Sequence, residues 1–285
     1  MKHDLIDFIR HIELYTKRLM KMNGPGDARS KIKGTGLEFE QLRDYYSGDD
    51  VRAIDWNSSA RHNKLLIKQF VEEKHRTIFI VLDISASAYY GSGDSLKYTR
   101  AAEIAAILAC AAYHKKDSVG LLLFTDRVEL YICPDKGKSH SYLIMQKILA
   151  AQPVHKKTNM ANVYDYLLQL RKKNAMVFLI SDFIDERYEQ KLALVCRMYD
   201  TMAIRITDDF EQILPMKALI SVQDIETGQE AIVNTRSIAK ASILKNRLEQ
   251  QDNVFMRYGI DMLAVNQTRS VVEQLVCFFN KRRVL

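Results

Sequence analysis

Nowhere does the chain hold about 18 consecutive uncharged apolar residues, the length a membrane-crossing helix needs, so no membrane span is expected. The densest apolar stretch, residues 101–113, is shorter and contains Glu103. The N-terminal MKHDLIDFIRHIE carries charges where a signal peptide has an apolar centre, which reads as a cytoplasmic chain. No C-x-x-C occurs. Cys110, Cys133, Cys196 and Cys277 lie far apart, in or beside apolar segments, and read as free, mostly buried thiols. The seven histidines form no H-E-x-x-H, and none stands at zinc-finger spacing from a cysteine, so a zinc site is not expected. The phosphate-cradling G-x-x-x-x-G-K-S/T and the nucleophile elbow G-x-S-x-G are both missing, as is a Gly/aromatic RNA-binding signature.

What is present suits a sizeable core. Of 285 residues, 47% are apolar, enough for one large domain with an attached segment. The net charge of +7 could attract an acidic partner, yet the basic residues are interleaved with acids along most of the chain. Only short clusters such as Lys281-Arg282-Arg283 stand out. A solvated basic surface is the reading, with no nucleic acid expected.

Residues 5–22 have apolar positions at helical spacing and predict an amphipathic helix, ended by Asn23-Gly24-Pro25-Gly26. A polar stretch follows, then short irregular elements, then an extended piece over 65–71. There Asp49, Asp50, Arg52, Asp55 and Arg61 read as structural ion-pairing residues, Trp56 as a packing anchor, and Gly34, Gly36 and Gly48 as turn residues. From Thr77 apolar strands alternate with amphipathic helices. Strands are predicted over 77–82, 119–124, 128–133, 175–180, 201–206 and 260–265, the third antiparallel to the second at an edge. Helices are predicted over 96–114, 141–151, 159–172, 188–198, 237–251 and 270–280. Thr227-Gly228 between two alternating stretches predicts a β-hairpin near 217–235. The expected fold is α/β: a doubly wound, mostly parallel sheet with helices on both faces. The domain reading is an N-terminal segment over 1–75 and the α/β domain over 76–285.

The strand IFIVL ends at Asp83, and Ser85 and Ser87 follow on a D-x-S-x-S spacing. In doubly wound sheets ligands bind beyond the carboxyl ends of the strands. Asp182 stands at a second such end, and Thr158 lies in a loop before a helix. If the loop after Asp83 stays extended, Asp83, Ser85 and Ser87 point the same way and converge on one cation. An all-oxygen donor set suits a hard divalent cation, Mg²⁺ first, with Mn²⁺ and Ca²⁺ as alternatives. Neutral hydroxyls would leave much of its charge uncompensated, ready for a partner's carboxylate. The plain alternative for Asp83-x-Ser85-x-Ser87 alone is a helix cap or an Asx-type turn.

The constellation resembles the metal-ion-dependent adhesion site of von Willebrand factor A-type domains. That resemblance implies that Ser85, Ser87 and Thr158 contact the metal directly and that Asp83 and Asp182 act largely through bound water. Residues 34–61, GTGLEFEQLRDYYSGDDVRAIDWNSSAR, resemble the signature of the bacterial family called domain of unknown function 58, in which such a stretch immediately precedes an A-type domain. The runs DFEQILP from Asp209 and DIETG from Asp224 resemble that family too, so the likeness covers most of the chain from Arg29. Members often carry Met after the second Ser, where this chain has Ala88 followed by Tyr89-Tyr90. Ala88, Tyr89 and Asn159 are therefore candidate partner-contacting positions on the rim.

The resemblance implies a non-catalytic, metal-dependent protein-binding module. Its implied partner is a MoxR-type AAA+ ATPase offering an acidic residue, in chaperone-like assembly or maturation of protein complexes. The alternative is a metal-dependent phosphatase-like hydrolase with Asp83 as nucleophile, as in enzymes with D-x-D-x-T/V after a strand. Ser85 replaces the second Asp, the acid/base, which weakens that alternative.

Overall fold

The computed structural model describes residues 37–72, 76–89, 96–155, 157–172, 175–185, 188–208, 219–223, 230–234, 239–265 and 269–284. The helix expected over 5–22, the Thr227-Gly228 turn and the run from Asp209 to Pro215 lie outside the described residues. The chain divides into two compact units, one being Asp27–His75 and the other containing everything from Arg76 onward.

In the smaller unit, β1 (Leu37–Asp44) pairs antiparallel with β2 (Leu66–Glu72), and the short helix α1 (Trp56–His62) lies between them in sequence. Irregular structure was expected where β1 forms. The register slips between Phe39 and Gln41, a bulge that shifts the parity of Leu37, Phe39 and Leu42 and so hides the period-2 pattern. The turn after β1 is closed by Asp49, whose carboxylate accepts two 2.7 Å bonds from Arg43 and one from the Tyr46 N–H. Asp50 and Asp55 act as N-caps, accepting from the N–H groups of Arg52 and Ser58. Trp56 does not anchor packing: it is 63% exposed at the first helical position.

The larger unit is built on β3 (Thr77–Asp83), β4 (Ser118–Phe124), β5 (Val128–Asp135), β6 (Ala175–Ser181), β7 (Asp200–Ile206) and β10 (Asp261–Val265). The sheet order is β10-β7-β6-β3-β4-β5, with only β5 antiparallel. Alternate residues of β3 serve two cores. Ile78, Ile80 and Leu82 pack with α2 (Lys97–His114), α3 (Lys138–Leu149) and α7 (Val271–Val284). Phe79 and Val81 pack with α4 (Met160–Leu170), α5 (Glu189–Met198) and the end of α6 (Ala239–Arg257). Burial on both faces explains why β3, β4 and β6 read as apolar runs. Ala101, Ala102, Ala105, Ala106, Ala109 and Ala112 of α2 are buried, and their small side chains let the helix lie close to the sheet. A separate antiparallel hairpin joins β8 (Leu219–Gln223) to β9 (Glu230–Asn234). This is the expected von Willebrand factor A-like arrangement.

Some single-residue expectations change. Cys133 and Cys277 are exposed, while Cys110 is buried. Arg282 is held by Asp200 and Asp261 instead of being freely solvated.

Candidate functional site

Neighbouring strands β3 and β6 are the place where the sheet order reverses, with one half continuing through β4 and the other through β7. Such a switch point opens a crevice beyond the strand ends. Asp83 closes β3 and Ser181 closes β6, so both loops enter that crevice.

Asp83 is 2% exposed, and each of its oxygens accepts a hydrogen bond from a protein group. Its Oδ1 accepts the Ser85 N–H at 2.9 Å, and its Oδ2 accepts the Ser181 hydroxyl at 2.6 Å. Ser181 in turn accepts the Phe183 N–H at 3.0 Å. Burial, reinforced by the charge of Asp182, pushes the Asp83 carboxyl up to about 7 against the opposing pull of these hydrogen bonds.

The loop after Asp83 is not extended, as the sequence reading required. The Ser85 N–H bond to Asp83 folds it into an Asx-type turn, and Ala86–Tyr89 form a 3-10 turn. The hydroxyls nevertheless converge, with Ser85 Oγ and Ser87 Oγ 3.1 Å apart. Ser85 is buried and Ser87 half-buried.

Asp182 follows β6 and is 6% exposed. Its Oδ1 accepts the Ile184 N–H at 3.2 Å, and its Oδ2 accepts the Lys97 ammonium at 3.0 Å. Phe183 adopts φ 57, a left-handed conformation unusual for a bulky residue. It is held there by edge packing on Phe255 and by the Gln251 side chain, which donates to its carbonyl.

Thr158 is half-buried in the loop before α4. The next residue, Asn159, hangs that loop on the end of β4 through its N–H to the Thr125 carbonyl at 3.1 Å. Asp185, in the loop after β6, accepts the Met160 N–H at 2.8 Å and ties the same loop to the β6 side. Hydrogen bonds therefore join Asp83 to Ser85 and Ser85 to Ser87. Asp182 adjoins through Ser181, and Thr158 sits on the same rim.

The three rim candidates have internal duties. The Asn159 side chain caps α4 by accepting the Asn162 N–H. Tyr89 stacks on Tyr98 at 4.7 Å and donates its hydroxyl to the Ala151 carbonyl. Ala88 lines a small cavity whose polar wall is Asp83, Lys97, Ser181 and Asp182 and whose apolar wall includes Ala101, Ile180 and Ile206.

The sequence places Ser181 at the strand end beside Asp182 without assigning it a role, and Lys97 was missed. Ser181 gave no signal beyond its place at a strand end. Lys97 gave one: a cation at the first position of a helix opposes the helix dipole, which calls for a compensating anion.

The donor set accommodates a small hard cation. Two oxygens bound side by side to Mg²⁺ at 2.0–2.1 Å in an octahedron lie about 2.9 Å apart. The Ser85–Ser87 separation is close to that, beside a carboxylate that, among the described residues, has no cationic partner in its hydrogen bonds. Among the described residues, no three or more His, Cys, Asp or Glu side chains form a metal-binding group, so a cation here would rest on hydroxyls.

The family described as "Protein of unknown function DUF58" matches residues 41–253. The chain belongs to the DUF58 family. Curated relatives include the uncharacterized proteins Rv1480 of Mycobacterium tuberculosis and Mb1516 of Mycobacterium bovis. Each is 25% identical over 223 residues, covering 77% of this DUF58 chain and 70% of the relative. A crystal structure of the conserved hypothetical protein BatB from Bacteroides thetaiotaomicron is similar at TM-score 0.49 and 11% identity, covering 74% of this chain and 100% of that one. An aerotolerance-related membrane protein from Bacteroides fragilis is similar at TM-score 0.48 and 13% identity, covering 72% and 99%. Among the described residues, no helix is long and apolar enough to cross a membrane.

Proposed function

We propose that this DUF58 protein is a non-catalytic binding module that grips an acidic residue of a protein partner through a divalent cation at the end of β3. Mg²⁺ is the ion we favour. Ser85, Ser87 and Thr158 would hold it, with Asp83 and Asp182 acting from behind. When bound, the ion supplies a positive centre with room for one more carboxylate. The protein's own residues do the rest: Ser181 and the Ser85 N–H fix the Asp83 carboxylate, and the 3-10 turn holds the two hydroxyls side by side. The observation that carries the reading is the 3.1 Å Ser85–Ser87 pair, joined to buried Asp83 through the Ser85 N–H.

By family resemblance, the partner is a MoxR-type AAA+ ATPase, and the pair works in chaperone-like assembly or maturation of protein complexes. A hydrolase reading fits the site less well. Both oxygens of Asp83 are engaged, and the position that would supply an acid is Ser85. The test is calorimetric titration of Mg²⁺ and Mn²⁺ into wild type and Asp83→Ala/Ser85→Ala. Binding is expected in the first and absent in the second. A folded wild type that takes up neither ion refutes the proposal, while uptake licenses a pull-down of the ATPase with and without chelator.

A further inference from the structure

Lys97 belongs to no part of the D-x-S-x-S pattern, yet its ammonium lies 3.0 Å from Asp182 Oδ2, with the two side chains only 3% and 4% exposed. It stands at the first position of α2, where the helix dipole repels a cation, and against the apolar wall formed by Ala101 and Ile206. Taking an ammonium out of water in such a place is unfavourable unless an anion compensates it closely. Asp182, one of the two carboxylates assigned to the cation site, compensates it.

We infer that Lys97 is a built-in counter-ion that sets how strongly the site holds a divalent cation. This rests on the metal reading proposed above. Asp83 and Asp182 carry two negative charges when ionised, and Lys97 cancels one before any ion arrives. The site thus offers an incoming ion one net negative charge in place of two. After loading, the same count leaves one net positive charge, which favours a partner's carboxylate. Lys97 therefore weakens the hold on the metal and strengthens the demand for an acidic ligand.

Charge counting ranks four proteins by Mn²⁺ affinity, measured by calorimetry on the full chain at low ionic strength. Lys97→Met exposes two carboxylates and should bind roughly tenfold tighter than wild type or better. Lys97→Met/Asp182→Asn restores a single negative charge and should bind like wild type. Asp182→Asn leaves Asp83 against Lys97 and should bind weakest. If Lys97→Met does not fold without its ion, the double variant still decides: affinity like wild type supports the inference, and affinity like Asp182→Asn overturns it. Wild type and folded Lys97→Met binding Mn²⁺ equally also overturns it while leaving the metal site standing. Uptake by none of the four removes the metal reading itself.

Discussion

Among the described residues, Asp83 has no cationic partner in its hydrogen bonds, in contrast to Asp182, and burial raises its carboxyl to about 7. In the unfolded chain the same group titrates in the usual carboxylate range, near ~4. Between those values the folded state binds a proton that the unfolded state has released. Stability must therefore fall as pH rises through that window, and the penalty is complete above it. Urea denaturation in chelator at pH 5 and pH 8 checks this. Wild type should lose stability relative to Asp83→Asn over that interval, whereas parallel behaviour would mean that Asp83 is already ionised in the folded protein at pH 5. Phe183 illustrates the opposite kind of residue, one whose backbone is unfavourable by roughly 1–3 kcal/mol and which persists because its surroundings hold it. Its ring packs on Phe255 and its carbonyl accepts from Gln251.

Strands β4 and β5 show how closely two elements depend on one glycine. A Cβ on Gly120 would lie 2.9 Å from the Ile132 carbonyl oxygen and 3.0 Å from Pro134 Cγ. Gly120→Ala should push the edge strand outward and cost about 1–3 kcal/mol in chemical denaturation. An unchanged midpoint would show that β5 yields freely. The four inner parallel strands were legible because burial on both faces makes them largely apolar runs, interrupted in β7 by Arg205, and the helices of the larger unit because their apolar positions recur at helical spacing; α1 was read as irregular. β1 was not legible, since its bulge at Glu40 breaks the alternation. The candidate site was legible as far as its residue types and their strand-end positions. The turn after Asp83 was legible only as the Asx-type alternative to an extended loop, and it is that alternative which forms, with the Asp83 side chain bending the backbone. The Lys97–Asp182 contact was also hidden: it joins residues 85 apart in sequence, and no local pattern encodes such a pair.

In the larger unit the two ends of the parallel strands have different characters. The carboxyl end carries the hydroxyls and buried acids, tied together by Asp185 and Asn159. A cation that binds only the folded form must stabilise this unit as a whole. At 100 times its Kd the gain is about 2.7 kcal/mol. Mg²⁺ at that level should raise the melting temperature of wild type by roughly 5–10 °C. Asp83→Ala/Ser85→Ala should show no rise, and an equal rise in both would place the ion elsewhere. At the other end, Arg282 of the last helix reaches Asp200 and Asp261, the first residues of β7 and β10. That anchorage fixes an orientation. A chain tethered to a sensor surface just beyond Arg282 would be held by the amino ends of its strands, with the Asp83 crevice turned toward the flowing analyte.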